Sequence, residues 1–179
     1  AFHLPELPKR ILIQGGGYIA LEFACIFSGL GSLVTVVYRG DNILRGFDDD
    51  VRAHVRDEME KNGITILTGC TVDGIEKHDD WYTSHLSNGS SIASDKVMFA
   101  IGRHPAVANL GLEKAGVAIN PDNGGIVVNE ASQSSVPHIY AVGDVTHRFN
   151  LTPVAIREGH AFADTIFGKR AVKVDHIDI

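Results

Sequence analysis

The sequence has little cysteine, no long apolar run and no excess of positive charge. Its two cysteines, Cys25 and Cys70, are too few for a disulfide framework and too isolated for a zinc site. No apolar run reaches the roughly 18 residues of a membrane span, and residues 1–6 lack the pattern of a signal peptide. Lys and Arg number 16 against 22 Asp and Glu, which argues against general nucleic-acid or anionic-membrane binding. We therefore expect a cytoplasmic protein with two buried, reduced thiols and neither nucleic acid nor membrane as partner.

The overall composition is that of a globular protein. Of the 179 residues, 44% are hydrophobic and 21% are charged, which provides enough apolar mass for a core. The length allows one ordinary domain or two small ones. The sequence begins with Ala1 and not with Met, so we expect an excised or processed piece of a protein.

The first organised segment has the pattern of a βαβ unit. An apolar run at residues 10–14 stops at three glycines, and apolar residues then recur at helical spacing over residues 18–31. Residues 32–38 are β-branched and apolar, as in a strand that is buried on both faces. The segment therefore predicts a strand, a glycine turn, a helix and a second, parallel strand.

The glycine turn fits the dinucleotide fingerprint G-x-G-x-x-G/A. Gly15 permits the tight turn, Gly17 lets the backbone approach a pyrophosphate, and the small Ala20 lets the helix pack close to the strand. The N-terminus of the helix offers N–H groups and partial positive charge to the phosphates. Because the strand before and the helix after the motif agree with it, we predict a dinucleotide site.

The end of the second strand indicates which nucleotide binds. An NAD site normally carries an acid there, which holds the ribose hydroxyls. Here Tyr38 ends the strand, and Arg39 and Arg45 flank the loop that follows. A guanidinium suits the 2′-phosphate of NADPH because it is planar and permanently charged. We therefore predict NADPH, and we interpret the one nearby acid, Asp41, as a residue that caps the loop.

The next elements extend this unit. Residues 51–62 have the apolar stripe of a helix, whose start Asp48 or a neighbouring residue can cap. Residues 64–67 predict a third parallel strand. Asp48, Asp49 and Asp50 are consecutive and point in different directions on a helix, so we predict no metal site there.

An antiparallel excursion interrupts the parallel series. Residues 71–77 and 81–87 and the segment from 90 onward alternate around Asn88-Gly89, a strong hairpin signal. Residues 96–100 then return to the parallel sheet. The fold class that we predict is α/β: a Rossmann-like parallel sheet with an antiparallel hairpin excursion, followed by part of a second domain.

The later part of the chain is less regular. Residues 105–125 are loop-like apart from a helical patch at 112–115, and residues 126–128 and 139–142 predict two further strands. A final helix is expected to reach about residue 167, with Thr152 as its N-cap and Pro153 at its first position.

Five motifs in order carry a family resemblance. They are Gly-Gly-Gly-Tyr-Ile-Ala-Leu-Glu at 15–22, Tyr-Arg-Gly-Asp-Asn-Ile-Leu-Arg-Gly-Phe-Asp at 38–48, Ile-Gly-Arg at 101–103, Tyr-Ala-Val-Gly-Asp at 140–144 and Leu-Thr-Pro-Val-Ala at 151–155. The chain resembles the flavoprotein pyridine nucleotide–disulfide oxidoreductases, and among them the glutathione reductases. The arginine pair distinguishes this branch from NADH-using lipoamide dehydrogenases, whereas trypanothione reductases share much of the loop and remain an alternative.

The resemblance implies that the chain contains one complete domain and part of a second one. Residues 1–103 would form the NADPH-binding domain, and residues 104–179 would form the returning, incomplete segment of the FAD domain. FAD is thus implied as a second cofactor of the complete enzyme, which is expected to be a homodimer. The implied NADPH-site residues are Gly15, Gly16, Gly17, Ile19, Glu22, Arg39, Arg45, Gly102 and Leu151.

Three further residues are implied at the flavin. The ring of Tyr18 would cover the flavin until nicotinamide displaces it. Asp144 would accept a hydrogen bond from the ribityl chain, and Thr152 would present its backbone at the pyrimidine end. The helix that Thr152 begins would direct its positive end there.

The chain also departs from the family pattern. The family carries a redox-active Cys-x-x-x-x-Cys pair, whose spacing Cys25 and Cys70 do not have. It also carries a catalytic His–Glu pair, and we assign none of the nine histidines to that role. We therefore assign no catalytic residue and expect the isolated chain to be inactive. Glutathione disulfide would be the substrate of the complete enzyme, and the alternatives are another disulfide reductase of the family or a stand-alone NADPH-binding module without turnover.

Overall fold

A four-stranded parallel sheet lies at the centre of residues 1–102, the first of two compact units into which the chain divides. The structure, a computed structural model, describes residues 1–177 and 179. Its strands are β1 (Arg10–Gln14), β2 (Leu33–Tyr38), β3 (Thr65–Thr68) and β7 (Lys96–Phe99). They lie in the order β3-β2-β1-β7, which confirms the predicted Rossmann-like sheet.

Two helices cover one face of this sheet. Helix α1 (Tyr18–Gly29) buries a stripe of small and apolar side chains against β1 and β2, and α2 (Asp49–Lys61) contributes Met59 to the same core. The carboxylate of Asp48 accepts hydrogen bonds from the backbone N–H groups of Asp50 and Val51, so the predicted cap of α2 is confirmed.

A three-stranded antiparallel sheet covers the other face. It consists of β4 (Val72–Lys77), β5 (Tyr82–Leu86) and β6 (Ser91–Ser94), in that order. The Asn88-Gly89 turn between β5 and β6 is confirmed, with Gly89 at φ +85° and the Asn88 side chain accepting from the N–H of Ser90. Leu86 packs with Leu12, Val37 and Cys70 between the two sheets.

Residues 103–179 form the second unit, which contains little regular structure before its last helix. The helical patch is confirmed as α3 (Leu112–Ala115), and a single 3-10 turn (Gly143–Thr146) precedes α4 (Thr152–Ile166). A small apolar core gathers around Val117, Ile126 and Ala141. No helix among residues 1–177 and 179 is both long and apolar enough to cross a membrane.

The two strands predicted at 126–128 and 139–142 are wrong. These segments form only isolated bridges, Ile119 with Ile126, Val128 with Ser134 and Gln133 with Tyr140. The chain reverses at residues 129–132, where Ser132 has a φ of +60° and the Asn129 side chain accepts from two backbone N–H groups. None of these bridges continues into a strand.

Two smaller predictions also need correction. The N-cap of α4 is Leu151, whose backbone is extended and whose C=O accepts from the N–H of Ala155, so Thr152 is already helical and no side chain caps the helix.

Cys25 is exposed because it lies off the stripe of α1 that packs on the sheet. Cys70 is buried as predicted, and burial raises the pKa of its thiol. Both cysteines are free.

An ion pair fastens β1 to the turn between β6 and β7. The carboxylate of Asp95 accepts three hydrogen bonds from Arg10, one from its backbone N–H at 2.9 Å and two from its guanidinium at 3.1 and 2.6 Å. These bonds from Arg10 hold the pKa of Asp95 below its usual value.

We predict that Asp95→Asn lowers stability at pH 7 by about 1 kcal/mol, because the pair is partly exposed to solvent. Since the pKa of Asp95 is lower in the folded state, its contribution is complete above the unfolded-state pKa of about 3.9 and is lost as the pH falls through the folded-state value. Thermal unfolding from pH 7 to pH 2 should therefore show a flatter acid loss in the variant. Asp80→Asn, at an exposed carboxylate, is the control, and an unchanged acid profile in Asp95→Asn would contradict the prediction.

Candidate nucleotide-binding site

The turn between β1 and α1 requires glycine at Gly15. Its φ is +146°, and a Cβ there would lie 2.3 Å from the carbonyl oxygen of Ala100, which follows β7. The same Cβ would lie 3.2 Å from the Cβ of Ala20, so the helix packs close to the strand at these two positions. The N–H of Gly15 donates to the C=O of Val37 on β2 at 2.9 Å. Three segments of backbone therefore converge at this residue.

The next two glycines have different surroundings. A Cβ at Gly16 would lie 2.5 Å from the ring of Tyr38. The C=O of Gly16 accepts a hydrogen bond from the N–H of Leu44 at 2.6 Å. Gly17 is the N-cap of α1, and a Cβ there would meet no atom within 4 Å. The backbone at Gly17 thus faces open space at the N-terminus of a helix, where an anion is favoured.

The loop after β2 places two arginines beside the glycine turn. The bond from Leu44 to Gly16 ties the loop to the turn, and Arg45 is the next residue along the chain. Arg39 and Arg45 are both exposed, and neither side chain forms an ion pair or hydrogen bond with another described residue. Both guanidinium groups are therefore available to an external anion.

The remaining predicted residues of the first unit lie on α1 and after β7. Tyr18 is 39% exposed, and Glu22 is exposed one turn later on the same face of the helix, whereas Ile19 is half-buried. Gly102 follows β7, which is parallel to β1, so it lies at the carboxyl edge of the sheet. This edge brings together the predicted residues Gly15, Gly16, Gly17, Tyr18, Ile19, Glu22, Arg39, Arg45 and Gly102.

In the second unit, a glycine turn and a helix N-terminus form a separate group. Gly143 has a φ of +72°, and a Cβ there would lie 3.0 Å from the Cβ of Ala155, so the turn packs on the first part of α4. Asp144 is exposed at the start of the 3-10 turn, and Leu151 and Thr152 are exposed where α4 begins. The turn and the helix thus present a carboxylate and backbone N–H groups together.

A buried carboxylate holds this turn in place. Glu158 on α4 is 2% exposed, and one of its oxygens accepts from the N–H of Gly143 at 2.6 Å. The other oxygen accepts from Nη2 of Arg148 and from Nε2 of His176, each at 2.8 Å. Sequence reasoning missed Glu158, although an acid within the amphipathic pattern of α4 is a signal that could have drawn attention to it.

Arg52 is a second residue that sequence reasoning missed. It lies in the first turns of α2, and its guanidinium donates hydrogen bonds to two carbonyl groups of the arginine-bearing loop. No sequence motif indicates these contacts.

Across residues 1–177 and 179, no group of three or more His, Cys, Asp and Glu residues is arranged to hold a metal ion.

Residues 1–159 match the family model described as pyridine nucleotide-disulphide oxidoreductase. The chain belongs to this family. The predicted resemblance is therefore confirmed.

Within this family, glutathione reductases and trypanothione reductases are similar to the chain in sequence. The chain is 51% identical over 178 residues to a glutathione reductase of Burkholderia cepacia, covering 99% of this chain and 39% of that protein. It is 47% identical to a glutathione reductase of Nostoc sp., with 98% and 40% covered. It is 45% identical to a trypanothione reductase of Trypanosoma congolense, with 98% and 36% covered. The chain thus spans about two fifths of the length of these relatives.

Solved structures agree on the fold. The Cu(II) complex of the HOCl-induced flavoprotein disulfide reductase RclA from Escherichia coli superposes with a TM-score of 0.87 at 31% identity, covering 96% of this chain and 39% of that one. LpdA from Mycobacterium tuberculosis has a TM-score of 0.85 at 23% identity, with 97% and 38% covered, and supports the fold alone.

We predict that Glu158→Gln destabilises the protein by roughly 3 kcal/mol, because it leaves the charge of Arg148 without its partner while Arg148 keeps some contact with water. The measurement is chemical denaturation followed by circular dichroism. Arg157→Gln, at the exposed neighbouring residue of α4, is the control and should unfold as the unmodified protein does. Equal stability of the two variants would show that the Glu158 contacts contribute little.

Proposed function

We propose that this chain is the NADPH-binding portion of a flavoprotein glutathione-disulfide reductase. The observation that carries the proposal is the pair of unpaired guanidinium groups, Arg39 and Arg45, on a loop tied to Gly16 of the dinucleotide turn. The pyrophosphate would lie at the N-terminus of α1, over Gly17. The 2′-phosphate would then lie at the end of β2, where the two arginines compensate its charge.

The NADPH site consists of residues at the carboxyl edge of the parallel sheet. The open space at Gly17 supports close approach of the pyrophosphate. Ile19 and Glu22, further along α1, are the next residues that we propose to contact NADPH. Gly102 would complete the contact with NADPH on this unit, Leu151 is a further proposed NADPH ligand, and the ring of Tyr18 would cover the flavin of the complete enzyme. Residues 1–103 form this NADPH domain, and residues 104–179 form the returning part of the FAD domain.

The second unit fits one edge of an FAD site. The carboxylate of Asp144 is exposed and forms no side-chain hydrogen bond with another described residue, so it can accept one from a ribityl hydroxyl. Thr152 at the start of α4 presents a backbone N–H and the positive end of a helix. When bound, FAD would supply the hydride acceptor that passes electrons from NADPH to a disulfide.

Glutathione disulfide is the substrate that we propose for the complete enzyme, a homodimer. The similarity to glutathione reductases favours it, and the 45% identity to a trypanothione reductase supports the related disulfide trypanothione as a second candidate. Two free thiols, Cys25 and Cys70, suit a reducing compartment such as the cytoplasm. By themselves, the 179 residues bind NADPH without turnover, because their two cysteines do not form the redox pair of the family.

We predict that the protein binds NADPH more tightly than NADH, and that Arg45→Gln weakens NADPH binding by roughly ten- to a hundred-fold, since a charge-assisted contact contributes about 1.5–3 kcal/mol. NADH binding should change little. Titration calorimetry with both nucleotides measures this, and Arg56→Gln, at an arginine that pairs with Glu60, is the control. Equal affinity for NADPH and NADH in the unmodified protein would refute the proposal.

We also predict that Gly17→Ala folds normally but binds NADPH at least about tenfold more weakly. The added methyl group meets no protein atom, and the φ of −86° suits alanine, so the methyl group obstructs only a ligand. Gly15→Ala is the matched variant, which should unfold at lower temperature because of its φ and its contact with Ala100. Thermal unfolding and NADPH titration of both variants separate these effects. Unchanged NADPH affinity in Gly17→Ala would place the pyrophosphate elsewhere.

A further inference from the structure

Arg52 holds the backbone of the loop that carries Arg45. Its side chain is only 16% exposed. Its Nε donates to the C=O of Ile43 at 2.8 Å, and its Nη2 donates to the C=O of Asn42 at 3.2 Å. Its Nη1 donates to the carboxylate of Asp49 at 2.6 Å, which orients the guanidinium from within α2. The planar fork of arginine thus spans two consecutive carbonyl groups of the loop.

These bonds fix the loop immediately before Arg45. Asn42 and Ile43 are held by Arg52, and the N–H of Leu44 is held by Gly16 at 2.6 Å. Leu44 has a φ of +54°, a conformation that non-glycine residues seldom adopt without support from surrounding structure. Arg45 follows this fixed segment. The direction in which its side chain leaves the loop therefore depends on the same hydrogen bonds, those from Arg52 and the one to Gly16.

Arg52 also compensates a negative charge on the loop that carries the two arginines. The carboxylate of Asp41 lies 3.7 Å from Nη2 of Arg52 and is otherwise exposed. Without Arg52, this carboxylate would stand uncompensated on the same loop as Arg39 and Arg45. It would then oppose the approach of a phosphate dianion.

We propose that Arg52 is a positioning residue that determines the preference for NADPH over NADH, by holding the loop that presents Arg45 and by compensating Asp41. This inference rests on the proposed function, because it assumes that Arg45 binds the 2′-phosphate. Arg52 itself does not contact the nucleotide. Its effect is therefore specific to the phosphate that distinguishes the two nucleotides.

The test measures dissociation constants for NADPH and NADH by titration calorimetry on the protein and its variants, well below each unfolding temperature. Arg52→Gln should weaken NADPH binding by about tenfold and change NADH binding by less than about twofold. Arg52→Lys, which keeps the charge but not the fork, should give an intermediate NADPH affinity. Asp41→Asn combined with Arg52→Gln should recover part of the loss.

Arg56→Gln is the matched control, because Arg56 lies on the same helix and pairs with Glu60 at 3.0 Å. It removes the same charge from α2, and it should leave both affinities unchanged. If Arg52→Gln does not fold, the ratio of the two affinities in Arg52→Lys decides instead, and a ratio equal to that of the unmodified protein overturns the inference.

Equal weakening of NADPH and NADH by Arg52→Gln, or no weakening, would also overturn the inference. Failure of the proposed function has a different signature. The unmodified protein would then bind both nucleotides equally, or Arg45→Gln would have no effect. A preference for NADPH that is lost in Arg45→Gln but kept in Arg52→Gln contradicts the role of Arg52 alone.

Discussion

The close approach of three backbone segments at Gly15 is the constraint on which the first unit depends. The end of β1, the carbonyl of Ala100 after β7 and the end of β2 at Val37 all meet at a residue that has no room for a side chain. Because these strands end together, α1 must begin at the same edge of the sheet. Its N-terminus therefore opens where Gly17 leaves space, and a ligand can reach the backbone there.

The electrostatics of this edge differ from those of the whole chain. The formal net charge is −6, yet the loop beside the glycine turn presents Arg39 and Arg45 without acidic partners. Arg52, of the same residue type, is enclosed and satisfied by carbonyl and carboxylate oxygens. Local charge at about 4 Å outweighs distant charge because salt screens the latter over about 8 Å. An acidic net charge is thus compatible with a local phosphate site.

Local sequence patterns predicted those elements of the fold that a short segment specifies by itself. The apolar run before the glycines, the helical stripe after them and Asn88-Gly89 each specify one element. The strands predicted at 126–128 and 139–142 were wrong because apolar, β-branched residues favour a strand only where a neighbouring segment pairs with them, and here each segment forms only isolated bridges. The candidate site was predicted through its glycines and exposed arginines. Arg52 and Glu158 were not, because a charged residue in a helical pattern has the same appearance whether it faces water or backbone.

Arg52 and Glu158 use one arrangement in two unrelated places. In each, a helical side chain holds backbone groups of the preceding turn, carbonyl groups at Asn42 and Ile43 in the first case and the N–H of Gly143 in the second. The residue expected to meet the ligand stands just beyond and is exposed, Arg45 in the first unit and Asp144 in the second. Fixing the backbone while leaving the ligand-facing side chain unpaired lowers the ordering cost of binding without satisfying that side chain in advance. A helix that follows a binding turn can therefore contribute to recognition through a residue that never contacts the ligand.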